Sequence, residues 1–162
     1  MKKIVLVAVV VMMSLPSLGF ASSREGKIQA GAGFGLALHS PIRFDLQLNG
    51  EYFLYEDISV GLNVDLLFRG STNFGFTPFA RYHFDIASLP ELVPYVGGGL
   101  GVFVNTNGNG AMDIMIPDFG FKYELIADRL FIGPDLSFHV VTNFSNTTWD
   151  FRFLFAVASY RF

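Results

Sequence analysis

The chain contains no cysteine. That excludes disulfide staples, thiol nucleophiles, thiolate metal sites and a lipid-modified cysteine. Charge is scarce: Asp, Glu, Lys and Arg make up 15% of the 162 residues, against about 25% in an ordinary soluble domain. Basic charge is scarcer still, with 11 Lys and Arg against 14 Asp and Glu. This argues against a nucleic-acid partner, which asks for a basic stripe. Long apolar runs are also missing. Beyond the first twenty residues none approaches the ~18 residues that a spanning helix needs. Yet 51% of the chain is hydrophobic, 16% is aromatic, and the mean hydropathy is +0.43. Lipid requires every backbone N–H and C=O to be satisfied internally, so only helices and closed β-barrels cross it. A membrane-like composition without spanning helices therefore points to a barrel.

The one apolar run lies at the N-terminus. Lys2 and Lys3 precede an apolar stretch from Ile4 to Met13, Ser14 and Pro16 interrupt it, and Gly19, Phe20 and Ala21 offer a small-residue cleavage site. This reads as a secretory signal peptide, residues 1–21, too short to span. Residues 22–162 are then expected to form one barrel domain. Once the two leader lysines leave, nine basic side chains face fourteen acidic ones, a net charge of −5.

That domain reads as eight apolar-alternating segments cut by turn residues, the pattern of an all-β, antiparallel, up-and-down transmembrane barrel. Phe44, Leu46, Leu48, Tyr52 and Leu54 alternate with Arg43, Asp45, Gln47, Asn49 and Glu51 in the clearest of them. In the sixth segment Met115, Phe119, Phe121 and Tyr123 are set against Asp118, Gly120, Lys122 and Glu124. The connections fall into two alternating sets. Residues 55–59, 86–93 and 127–129 form one. Residues 40–41, 70–73, 105–110 and 142–147, rich in Asn, Thr, Ser and Gly, form the other. Eight strands with both ends on one side require three connections there and four opposite. Signal cleavage would leave both termini in the periplasm and the second set outside.

Alternation does not distinguish this barrel from a soluble one that buries its apolar face. Three features favour the membrane form. Rings are so frequent on the apolar face that they would overfill an eight-stranded interior. The other face combines glycine with charge, which suits a tight lumen. Aromatics gather at strand ends (Tyr52, Tyr55, Tyr82, Phe84, Tyr123, Tyr160), as interfacial girdles do. The inward face then carries Arg43, Asp45, Glu51, Asp65, Arg81, Asp118, Lys122, Asp135 and Arg152, with Arg69, Asp85 and Glu124. Eight strands leave an interior that side chains just fill. Unpaired charges there cost several kcal/mol each, so a paired network and no wide channel are expected.

The glycines Gly31, Gly33 and Gly35, and Gly97, Gly99 and Gly101, recur every second residue. They lack the strand-to-helix turn of a nucleotide loop, so no cofactor is expected. Asp135, Ser137 and His139 share one face and sketch a hydrolase triad, but backbone positions two apart on a strand are ~6.6–6.8 Å apart. That does not readily give a direct Ser–His hydrogen bond, although a base from a neighbouring strand could serve. The three histidines sit on separate strands without metal-ligand spacing.

The stretches "SYRF" (Ser159 to Phe162), "PYVGGGLGV" (Pro94 to Val102) and "PFARYHF" (Pro78 to Phe84) resemble small outer-membrane β-barrels of the OmpA-like transmembrane-domain group. The resemblance implies a Gram-negative outer-membrane location, contact with outer-membrane lipid and lipopolysaccharide, and insertion by the barrel-assembly machinery. That machinery reads a final aromatic with another two residues before it, here Phe162 and Tyr160. Neither the long outer loops of adhesive members nor a peptidoglycan-binding domain is expected here. The expected function is structural and non-enzymatic, in a monomeric barrel with a side-chain-filled polar lumen; the alternatives are a small channel or carrier for hydrophobic molecules, and a lipid-modifying hydrolase.

The last strand poses a conflict. Counted back from Phe162, its lipid face would include Tyr160, Ala158, Ala156, Leu154 and Arg152. Counted forward from Trp149, it would be Phe151, Phe153 and Phe155, with Asp150 and Arg152 inside. An arginine facing mid-membrane lipid costs ~2–4 kcal/mol, so a bulge is expected near residues 154–156.

Overall fold

Side chains that alternate at period two can bury one face only if the strand pairs on both edges, and these strands do so by closing on themselves. The computed structural model describes residues 24–38, 42–69, 71–105 and 109–162. Its eight strands are β1 (Ile28–Ala37), β2 (Arg43–Phe53), β3 (Ile58–Arg69), β4 (Ser71–His83), β5 (Leu92–Asn105), β6 (Gly110–Ile126), β7 (Leu130–Thr142) and β8 (Thr147–Arg161). Each pairs antiparallel with its sequence neighbour, and β8 returns to β1, giving a closed barrel. Among the described residues no helix is long and apolar enough to cross a membrane. The leader, His39, residues 40–41 and the side chain of Arg69 lie outside the described residues.

The exterior is apolar on every strand. Phe34, Leu48, Leu62, Phe76, Leu100, Phe121 and Ile132 are exposed there. At the end that carries both termini Tyr52, Tyr82, Phe84, Tyr123 and Phe162 stand outward, and Trp149, Phe44 and Phe68 do so at the opposite, loop end. Rings within each belt touch: Tyr160 with Phe162 at 5.0 Å, Tyr82 with Phe84 at 5.0 Å, Phe138 with Trp149 at 6.0 Å.

The interior also takes rings, more than the sequence suggested. Phe53, Phe79, Tyr95, Phe103 and Phe131 are buried inside. They fit because glycine stands opposite three of them. Phe79 lies across from Gly61, Phe103 from Gly75 and Tyr95 from Gly120. A Cβ on Gly75 would come 2.8 Å from Cζ of Phe103. Each ring folds over the bare backbone of the neighbouring strand, which covers the glycine and saves volume.

The bulge in β8 is present. Phe34 pairs with Ala156 while Gly35 pairs with Leu154, which leaves Phe155 without a partner on β1. Phe155 and Ala156 both turn outward, so Asp150, Arg152 and Leu154 point inward before the bulge and Ser159 and Arg161 after it. Gly35 accommodates the kink, because a Cβ there would collide with the Phe153 carbonyl.

A second irregularity corrects the reading of β6. Met115, assigned above to the lipid face, is fully buried inside. The register shifts between Met115 and Asp118, around Ile116 and Pro117. One extra residue there, with Ile116 and Pro117 opposing a single residue on each neighbouring strand, places Asp113 and Met115 inward on one side and Asp118 and Lys122 inward on the other.

Candidate functional site

The lumen is built in layers. At the terminal end Arg161 lies over the rings of Phe131 (4.2 Å) and Phe53 (5.1 Å). It donates to Gln29 Oε1 at 3.2 Å, and Gln29 donates to Ser159 Oγ at 2.8 Å. Next comes Glu51. It is ion-paired with Lys122, accepts from Ser59 Oγ at 2.5 Å and contacts His83 Nε2 at 2.9 Å.

The central layer holds Arg81. Its Nε donates to Asp118 Oδ2 at 2.6 Å and its Nη2 to Asp135 Oδ2 at 2.8 Å. Tyr95 Oη donates to the same Asp135 oxygen at 2.6 Å. The guanidinium is sandwiched between Phe79 (4.3 Å) and Tyr95 (4.5 Å). Arg81 is 2% exposed, Asp118 0% and Asp135 1%. Charges this dry persist only when paired in good geometry.

Beyond it, Asp65 accepts from Gln47 Nε2 at 3.0 Å and meets Arg152 Nη1 at 2.9 Å. Arg152 stacks on Phe103 at 4.7 Å. Arg43 pairs with Asp150 at 3.0 Å near the loop end. An apolar cluster of Ala37, Leu67 and Phe103, joined by Ala111 and Val141, lies at this level. It borders a vestibule of about 630 Å³, lined also by Arg43, Asn73, Asn109, Thr148, Asp150 and Arg152.

The inward residues read from the sequence thus gather into two groups, with exceptions. Glu51, Arg81, Asp118, Lys122 and Asp135 join in the terminal half, and Arg43, Asp65 and Arg152 lie in the loop half. Asp45 is fully buried, and neither of its carboxylate oxygens has a hydrogen-bond partner. Asp85 does not face the lumen: it lies beyond β4 and pairs with Arg24. Glu124 turns back to accept the backbone N–H of Asp128. Tyr160 and Phe162 lie on the outer surface at the terminal end.

Sequence reading missed Asp113, which the β6 irregularity turns inward, and underrated Ser137 and His139. His139 Nε2 is 2.9 Å from Ser137 Oγ, despite their separation of two residues. His139 Nδ1 is 3.0 Å from Asp113, whose Oδ2 accepts from Thr77 Oγ1 at 2.9 Å. The Ser–His contact judged too long is made, and the carboxylate comes from β6, not from Asp135. Side chains lean along a strand, and a serine and a histidine leaning toward each other close the gap.

Three solved structures are similar over nearly their whole length. The outer membrane protein OprG of Pseudomonas aeruginosa aligns with a TM-score of 0.64 at 11% identity, covering 89% of this chain and 99% of that one. Neisserial surface protein A aligns at 0.63 and 15% identity, covering 83% and 94%. The N-terminal barrel domain of Pseudomonas aeruginosa OprF aligns at 0.58 and 20% identity, covering 85% and 98%. The fold is that of the small outer-membrane β-barrels. At these identities the likeness concerns the fold alone. No family model and no curated protein matches the sequence.

Proposed function

We propose that this chain is an integral outer-membrane barrel protein whose polar lumen is closed by its own side chains, and that its role is structural and non-enzymatic. The observation that carries this reading is the inversion of burial. Large apolar side chains are exposed on all eight strands, while Arg81, Asp118, Asp135, Asp65 and Arg152 are buried. A soluble barrel needs the opposite. In this reading both termini lie in the periplasm, the leader directs export, Tyr160 and Phe162 present the final strand to the assembly machinery, and the aromatic belts meet lipid and lipopolysaccharide as a monomer. Folded and boiled samples compared on a gel test it: the folded protein in detergent migrates faster than the boiled one. A protein that stays monodisperse and folded after detergent removal overturns the membrane reading.

One observation favours a second reading, a hydrolase: the hydrogen-bonded series Ser137, His139 and Asp113. Ser137 is only 2% exposed and does not line the vestibule. Ester hydrolysis lost specifically on Ser137→Ala would establish it; unchanged lipid A acylation and no reaction with a fluorophosphonate probe remove it.

A further inference from the structure

The vestibule at the loop end has a volume of about 630 Å³, within the roughly 300–1,000 Å³ of small-molecule sites. Asp150 and Arg152 belong to its wall and are nearly buried, at 3% and 1% exposure. Both keep hydrogen-bonding capacity unused. Asp150 accepts from Arg43 on Oδ2 at 3.0 Å, while its Oδ1 has no donor among the described residues. Arg152 meets Asp65 through Nη1 at 2.9 Å, while its Nε and Nη2 have no acceptor among them. Arg152 Nε stands 3.8 Å from Asp150 Oδ2, so the idle acceptor and the idle donors are neighbours. Buried polar groups in this state call for a partner.

That partner must accept from a guanidinium and donate to a carboxylate. A hydroxyl group does both, whereas an ionised carboxylate only accepts and an ammonium only donates. A full charge on the ligand is also poorly matched, because Arg43 and Arg152 each already face a carboxylate. The rest of the wall repeats this mixed character. Asn73 and Asn143 bring amides to it. The Asn143 side-chain oxygen accepts from the backbone N–H groups of Ser145 and Asn146, which leaves its own N–H group to donate. Ala111 and Val141 add an apolar stretch beside these polar groups. Several hydroxyls on a compact ring that also has an apolar C–H face describe a saccharide.

We propose that the loop-end vestibule binds a saccharide. One hydroxyl sits between Asp150 Oδ1 and the Arg152 guanidinium, further hydroxyls meet Asn73 and Asn143, and the C–H face rests on Ala111 and Val141. The inference goes beyond the structural role and does not depend on it, since binding in the vestibule needs no passage through the lumen.

The test is saturation-transfer NMR on the folded chain in lauryldimethylamine oxide, a detergent without a sugar headgroup. Two sets of probes are used: the disaccharides maltose, lactose and trehalose, and lipopolysaccharide core oligosaccharide freed of its lipid. At least one probe shows transfer that saturates. A response to a disaccharide assigns a free saccharide. A response to the core oligosaccharide alone, undiminished by inorganic phosphate, assigns a lipid-linked one. Asp150→Asn weakens the binding by about ten- to a hundredfold, the value of a hydrogen bond to a charged group. Gel migration of folded and boiled samples checks that each variant folds. Should Asp150→Asn fail to fold, Asn73→Ala on the half-buried wall decides, with a weakening of about two- to tenfold. No saturable transfer from any probe, which leaves the site to water, overturns the proposal. So does binding unchanged in every variant that folds, or core-oligosaccharide binding displaced by phosphate.

Discussion

Replacing Arg81 with methionine probes a buried charge cluster of the lumen. The substitution removes a guanidinium held at 2.6 Å from Asp118 and 2.8 Å from Asp135, and stacked between two rings. It leaves two carboxylates at most 1% exposed with no counter-charge. Breaking a buried pair from one side costs about 3–5 kcal/mol, and the two ring contacts add about 0.5–2 kcal/mol each when desolvated. Taking the ion-pair term alone, the folding constant falls by roughly two to three and a half powers of ten at 1.4 kcal/mol per decade. Urea unfolding in lipid vesicles measures this, read by the single tryptophan, Trp149, and by gel migration of folded and unfolded forms. Adding Asp118→Asn and Asp135→Asn to the same chain recovers most of the loss, because the cost lies in the stranded charges. A loss below about 1 kcal/mol, the value of a solvated surface pair, refutes the reasoning and marks the lumen as wet.

Three further substitutions separate exterior, interior and bulge. Leu48→Arg, on the outward face, destabilises the folded barrel by about 2–4 kcal/mol at mid-membrane depth, measured by the same unfolding. Gly75→Ala forces a Cβ against Phe103 and costs about 1–3 kcal/mol, whereas a Cβ on Gly50 meets nothing within 4 Å, so Gly50→Ala changes stability far less; equal effects would contradict the packing. Deleting Phe155 gives β8 a regular register against both β1 and β7 while Arg152 and Arg161 stay inside. That variant therefore folds and shows heat-modifiable migration, whereas inserting a residue there prevents folding.

The strand count, the inside and outside faces and most lumen charges could be read from the sequence because period-two alternation survives wherever a ladder is regular. It failed where the ladder breaks. Ile116 and Pro117 reset the alternation within β6, so Met115 was read as lipid-facing and Asp113 went unnoticed. The β8 bulge was visible only because Arg152 could not be placed in lipid from one direction of counting. Partners were less legible than faces. Arg81 reaches across to β6 and β7, and His139 finds its carboxylate on β6; alternation carries no information about which inward side chains lean toward each other. Asp85 was misplaced because β4 ends at His83, before the face it would have occupied.

The closed lumen is tested most directly by planar-bilayer recording of the purified, folded barrel. With Glu51 tied to Lys122, Arg81 to Asp118 and Asp135, and Asp65 to Arg152 across the interior, the native chain shows no steady conductance. Steady, voltage-independent conductance from the folded monomer contradicts a lumen closed by its own side chains.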